Sequence, residues 1–486
     1  MVSAGLLLQP ALYAQENNEG MEVAQASEES DFGDESDEDS DFSDSDDFAE
    51  DASEEDSSMK EVGLQFEGFL ELERGGHFGV PSKQEKQWIM DNIRFRLKTS
   101  KTVDNGGVFL KVDFIEDGIL HESKVDIREA RIQYTPVEWM DLSIGKQVNT
   151  WGVADMVFIN DLFPKNWVSN FLGRDMESMK DSANSYRMSS YFGNWTLDLV
   201  YHPDFAPDTT PTGCRFTVYN PNSMLDSSQE KLVENSSTCG QATTAPQQTG
   251  EYSHGEFASR LKTQVSGFEL ALYTYTGFYK NPKGLLQTSA TTLQAKYPKL
   301  AVYGVSTEGQ LGPGIFTFEA GLYQSREDLD GDNALIENSM LKNLFGYKID
   351  VSENLGFGFQ VYQERMQQYS DYEQGIINMA QSLGMTAAAA KQSDMFKYRK
   401  EEVHNTYTLR IMFKAQQDTL RINLFTYQRP QDHDSFTKLD MNKRLDDNFE
   451  VTIGANVFTG EDHYEDRDFG MLRDDDNAFL RLKYLF

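Results

Sequence analysis

Charged side chains placed two residues apart are the first chemistry this sequence offers. Arg94, Arg96 and Lys98 alternate with other residues, as do Arg260 and Lys262, and Arg481 and Lys483. On an extended chain such neighbours project from the same face. The same alternation places Lys111, Arg131, Arg410, Lys414 and Arg421 on that face, together with the acids Glu67, Glu71, Glu129, Glu319 and Glu364. If the face lines an aqueous path, a stripe of Arg and Lys attracts anions. Alternatively, the cations pair with the acids across strands and keep a wall wet. The sequence leaves both readings open.

Other candidate sites are weaker. Asp328, Asp330 and Asp332 space three carboxylates as calcium loops do. Asn333 then stands where the EF-hand pattern needs glycine, and no Glu follows at the required spacing, so a solvated acidic turn is the competing reading. Cys214 and Cys239 are the only cysteines and fall in one connecting segment, which reads as a disulfide in an exported chain. In the chain-entropy model such a bridge contributes roughly 3 kcal/mol. There is no Gly-x-Ser-x-Gly, no His-Glu-x-x-His and no haem-attachment Cys-x-x-Cys-His, and the seven histidines are scattered. The expectation is a protein that is not an enzyme and carries no cofactor beyond that calcium reading.

The elements that must hold these side chains are strands. Val62, Leu64, Phe66, Leu70 and Leu72 share one face, with Gln65, Glu67, Glu71 and Glu73 on the other. The rhythm recurs over 87–98, 106–116, 123–135, 140–148, 183–192, 195–202, 254–264 and 267–279. It continues over 296–310, 314–325, 339–350, 354–368, 402–415, 418–428, 435–444, 449–459 and 475–486. With 62–73 this makes eighteen strands, an even number, many near the length that crosses a bilayer at a tilt. Every second connection is short, such as Gly193-Asn194, Ser266-Gly267 and Gln416-Gln417, and several of the others are long. That alternation predicts an all-β, up-and-down transmembrane barrel over 61–486. No run of 18 apolar residues exists, which excludes a helical membrane protein. The negative mean hydropathy is compatible with a barrel, because only alternate residues face lipid.

The topology places both termini and the short turns in the periplasm, with the long loops outside. Leu480, Leu482, Tyr484 and Phe486 then face lipid. Such a surface implies outer-membrane lipid and lipopolysaccharide as surroundings. One connection stands apart. Over 149–182, Trp151, Met156, Val157, Phe158, Ile159, Leu162, Phe163, Trp167 and Val168 are too apolar for a solvated loop. The segment is expected to fold into the barrel as a constriction or plug, presenting Asp155, Asn160, Asp161, Lys165 and Arg174 to the path, with packing against the outer rim as the competing reading. Residues 371–392 favour a short helix in an external loop.

Ahead of the barrel the composition changes. Residues 1–14 read as the remnant of a signal peptide, with Ala4-Gly5-Leu6-Leu7-Leu8 as its apolar core and no basic residue before it. Between Gln15 and Met59 stand twenty Asp and Glu and no Lys or Arg, within a chain of formal net charge −35. Residues 15–60 are therefore expected to be a disordered acidic tail in the periplasm, able to meet a basic partner but not nucleic acid.

A resemblance adds to this reading. Ile144-Gly145-Lys146-Gln147-Val148-Asn149-Thr150-Trp151-Gly152 resembles the Gly-(Arg/Lys)-Gln-x-x-x-Trp-Gly stretch of a proteobacterial porin-like family. Tyr323-Gln324-Ser325-Arg326-Glu327-Asp328, Asn338-Ser339 and Gly346-Tyr347 are similar to such proteins too. These families are similar to alginate-export barrels, which have eighteen strands and carry an acidic polysaccharide outward. The aromatic C-terminus resembles the signal read by the barrel-assembly machinery. What the resemblance implies over roughly 62–486 is an outer-membrane channel for small solutes, anionic solutes or acidic saccharides. The alternative is a barrel that sheathes a periplasmic or extracellular partner protein.

Overall fold

In the computed structural model, which describes residues 65–78, 88–225, 228–233, 255–289 and 291–486, eighteen antiparallel strands form one closed sheet. The leader 1–14, the acidic stretch 15–60 and Cys239 lie outside the described residues, so the Cys214–Cys239 pairing does as well. The first nine strands are β1 (Gln65–His77), β2 (Trp88–Val103), β3 (Gly106–Asp117), β4 (Glu122–Val137), β5 (Met140–Val148), β6 (Ser182–Phe192), β7 (Trp195–His202), β8 (Glu256–Val265) and β9 (Phe268–Phe278). The rest are β10 (Lys299–Leu311), β11 (Gly314–Ser325), β12 (Met340–Ser352), β13 (Leu355–Met366), β14 (Val403–Ala415), β15 (Leu420–Arg429), β16 (Asp434–Arg444), β17 (Phe449–Gly460) and β18 (Asn477–Leu485). Each of the eighteen expected strands is present, with ends shifted by a few residues.

Each strand pairs with its sequence neighbour, and β18 returns to β1 with Phe69 opposite Leu485 and Leu72 opposite Leu482. Closure leaves no edge with unpaired backbone groups, a condition the bilayer interior imposes. Alternation then sorts the side chains. Leu72, Ile93, Phe114, Ile132, Leu272, Phe345, Leu439 and Leu482 are exposed on the outer face, while Glu71, Arg94, Asp113 and Arg481 are buried on the inner one. Apolar groups outside and charges inside invert the soluble arrangement and fit a lipid surround. Aromatic residues gather at the short-turn end, where Trp139 lies 5.8 Å from Phe192 and Phe449 4.9 Å from Tyr484. They mark a membrane interface.

The turns explain the register. At Ser266-Gly267 both residues take left-handed φ values, 52° and 83°. This is the two-residue primed turn whose twist matches the flanking strands, and it sets Val265 opposite Phe268. One irregularity changes the lumen. Lys111 faces Glu129 but Val112 faces Ile127, so Arg128 is an extra residue in β4. A bulge of this kind points successive residues to one side. Arg128 joins Glu129 in the interior, a position that strict alternation does not assign to it.

Candidate functional site: the lumen and its inward loop

Residues 149–181, between β5 and β6, turn into the barrel and meet strands on several sides of it. Two short helices organise the segment. α1 (Trp167–Phe171) is capped by the Asn166 side chain, which accepts from Ser169 N at 2.9 Å. α2 (Met176–Met179) is capped by Asp175, which accepts from Ser178 N at 2.8 Å. Each cap satisfies an otherwise orphaned helix N–H.

The first part of the loop is held by apolar packing. Trp151 sits 5.0 Å from Phe163 and 6.2 Å from Tyr273 of β9. Phe171 enters a nest of Phe216, Phe436, Phe458 and Phe469, all with ring centroids within 6.3 Å and near-perpendicular planes. Edge-to-face geometry is the favoured arrangement of aromatic quadrupoles. Polar backbone atoms in this part are met by wall side chains. The hydroxyls of Tyr323 and Tyr427 donate to Ile159 O and Met156 O. Glu319 accepts from Asn160 N at 2.7 Å and Val153 N at 3.4 Å. Asp155 takes a two-pronged contact from Arg410, at 2.6 and 2.8 Å.

The second part is held by charge. Arg174 donates to Glu73 at 2.6 and 3.0 Å. Glu177 accepts from Arg96 at 2.6 Å and Lys111 at 2.9 Å. Arg128, the bulge residue, donates to Asp181 at 3.2 Å and Lys180 O at 2.5 Å. Behind these contacts the wall is internally paired. Arg94 meets Glu71 at 2.5 Å, and Arg96 grips both oxygens of Asp113 at 2.6 and 2.7 Å. Burial pushes the Glu177 carboxyl up, but the Lys111 and Arg96 cations outweigh it and bring its pKa down to about 2.

The sequence reading and the geometry differ in several places. Asp161 and Lys165 do not face a path. They are buried against each other at 2.8 Å, and Thr150 donates to Asp161 at 2.7 Å. Asn160 is buried and its amide donates to Ala320 O at 3.3 Å. Arg174 and Asp155 are likewise engaged in anchoring. An apolar loop has to be fastened to a polar wall; Asn160, Asp155 and Arg174 do the fastening, while Asp161 and Lys165 pair within the loop itself. Arg94, Arg96, Arg260, Arg410 and Arg481, expected to line the path, are buried in pairs or against the loop. Arg260 meets Asp198 at 2.8 Å, and Arg481 donates to Gly173 O at 2.8 Å.

Towards the short turns the lumen side chains are less enclosed. Lys98, Lys111, Arg131, Lys262, Lys414, Arg421 and Lys483 are half-buried, as is Arg187, which the sequence reading did not include. Acids accompany them. Lys111 lies 2.6 Å from Glu129, Lys262 3.6 Å from Glu269, and Arg187 3.5 Å from Asp198. Glu67 is exposed at this end, whereas Glu71 is buried.

The carboxylates of Asp328, Asp330 and Asp332 do not converge. Asp328 turns back to accept from Gly331 N and Asn333 N, at 3.1 and 3.2 Å, and the other two residues are exposed. Among the described residues no group of three His, Cys, Asp or Glu side chains could hold a metal ion. In the external loop, α3 (Tyr369–Ser382) occupies the stretch expected to be helical. At the outer rim His404 lies 3.2 Å from Asp432, which Arg467 and Arg429 also contact.

No family model matches the sequence, and no curated protein matches it. Solved structures do. The chain is similar to OccK2 (OpdF) of Pseudomonas aeruginosa, determined in complex with glucuronate, with TM-score 0.50 and 10% identity, covering 87% of this chain and 98% of that one. It is also similar to OccK11 (OpdR) of the same organism, with TM-score 0.47, 10% identity and coverages of 87% and 96%. A third similar structure is the outer membrane channel DcaP of Acinetobacter baumannii, with TM-score 0.39, 12% identity and coverages of 87% and 97%. At these identities the likeness concerns the fold.

Proposed function

We propose that this protein is a porin-like channel of the Gram-negative outer membrane, through which small polar solutes pass. The observation that carries the reading is a closed eighteen-stranded barrel with an apolar exterior, a charged interior and one loop folded across the lumen. A barrel of this width is too wide for its own side chains to fill, so it encloses water unless a loop plugs it. The half-buried lumen residues near the short turns support an aqueous vestibule on that side. The glucuronate-bound barrel of similar fold supports a small-molecule solute.

The finer selectivity we propose is for anions, acidic saccharides among them. Lys98, Lys111, Arg131, Arg187 and Lys262 occupy one wall of the vestibule, and each cation keeps part of its surface free of enclosure. Pairing with Glu129, Asp198 and Glu269 weakens the field, so the preference is modest. The test is electrical. Purified protein in a planar bilayer should give stepwise single-channel currents, with a reversal potential in a salt gradient displaced toward the anion. Absence of steps overturns the channel. Clear cation preference overturns the anion selectivity and leaves the channel standing.

A further inference from the structure

A cleft opens among the loops at the long-loop end of the barrel. Three loops meet there: 367–402, 430–433 and 461–476. They border an open cleft of about 520 Å³, lined by polar and charged residues from Lys397 to Glu402, by Val403 and Pro430, and by Gln431, His433 and Tyr464. That volume lies in the range of small-molecule sites, roughly 300–1,000 Å³.

Four rings form two stacked pairs, joined edge-on, beside the cleft. His433 lies 4.2 Å from Tyr464, Tyr464 meets Tyr398 edge-on at 5.7 Å, and Tyr398 stacks on His463 at 4.3 Å with planes 5° apart. The stack is braced from beneath. Arg467 donates to Tyr398 O at 3.1 Å and reaches Asp432 at 3.2 Å, and Glu461 sits 3.2 Å from His433. Arg399 is fixed by Glu373 at 2.9 Å, and Lys400 by Glu337 at 2.7 Å.

We propose that this cleft binds an uncharged saccharide at the outer mouth. His433 and Tyr464 cover one face of each other, so the outward face of the pair accepts the C–H face of a sugar, while the Glu401 carboxylate and the Gln431 carboxamide meet its hydroxyls. The border carries two cations, Lys397 and Arg399, against two carboxylates, Glu401 and Glu402, and Arg399 and Glu402 are in turn paired with Glu373 and Arg365. That balance gives a charged ligand no net attraction and distinguishes the cleft from the lumen wall. The site is independent of conduction through the barrel.

The test uses the full chain in a detergent without a sugar headgroup, with maltotriose as probe and binding read by calorimetry or saturation-transfer NMR. Maltotriose should bind, and Tyr464→Ala should weaken it by about tenfold, a stacking energy near 1.4 kcal/mol. Tyr464→Phe, which keeps the ring face, should retain binding within about twofold and serves as the folding control. Trigalacturonate should bind more weakly than maltotriose. Absence of maltotriose binding overturns the site, as does binding that Tyr464→Ala leaves unchanged. Tighter binding of trigalacturonate overturns the uncharged class. None of these readouts depends on single-channel current, so failure of the channel is separable from failure of the cleft.

Discussion

The two parts of the inward loop solve the same problem by different physics. Residues 151–171 lie against the aromatic side chains of the lumen and lower their free energy by removing apolar surface from water. Residues 174–181 lie against β1–β4 and are held by Arg174–Glu73, Arg96–Glu177, Lys111–Glu177 and Arg128–Asp181. Apolar contact is additive and tolerant, so losing one methylene costs on the order of 1 kcal/mol. Enclosed charges are not tolerant. An ion pair removed from water gains little net stability, but removing one partner strands the other and costs about 3–5 kcal/mol. The contrast makes the second part, joined to the wall by four such pairs, the place where a single change of charge does most to release the loop, whereas the first part adds one wall ion pair, Asp155–Arg410, to its apolar packing.

The comparison can be broken most strongly on the charged side. Arg96→Ala removes the ligand of both Asp113 and Glu177 and leaves the enclosed Asp113 carboxylate without its two-pronged partner. Local stability should fall by about 3–5 kcal/mol, seen as faster amide exchange over 174–181 and as flickering current. Exchange unchanged there would mean that the pairs are ornamental.

On the apolar side Phe171→Ala opens a cavity among Phe216, Phe436, Phe458 and Phe469. It should cost about 3 kcal/mol, with faster exchange confined to 166–172 and little effect on 174–181. If both parts loosen equally in either variant, the loop is one cooperative unit and the distinction drawn between them fails.

Acid gives a smaller and graded effect. Glu177 titrates near pH 2 in the folded protein, against an ordinary value of 4.5. A lowered carboxylate pKa contributes stability that is present above the ordinary value and is lost as pH falls through the folded one. Flickering should therefore be flat from pH 8 to about 4.5 and rise only between about 4.5 and 2. Glu177→Gln should flicker at neutral pH and lose most of this dependence. A wild-type transition centred near pH 6 would point to a different group.

Much of this was legible in the sequence. Period-two alternation located every strand, because lipid on one side and water on the other leave no other pattern for a barrel wall. Trp151, Phe158, Phe163 and Trp167 gave the loop away, since no solvated loop carries so many large apolar side chains. What alternation does not reveal is how a charge is used once it points inward. Asp161, Lys165 and Arg174 looked like path-lining groups, but Arg174 fastens the loop to the wall and Asp161 and Lys165 pair with each other inside it. Arg128 was missed because a bulge breaks the parity on which the assignment of sides rests. The Phe171 nest draws on Phe216 and on rings more than 260 residues further along, a convergence no local pattern encodes. The aromatic cleft at the mouth was hidden for the same reason, as its rings come from three separate loops.

The central claim is that water fills this barrel except where residues 149–181 cross it. Its most direct test compares single-channel conductance of the intact protein with that of a variant lacking 153–180. The account predicts discrete steps from both proteins, several-fold larger in the deletion variant and with longer-lived open states. Equal conductance from the two, in correctly inserted barrels, would contradict it.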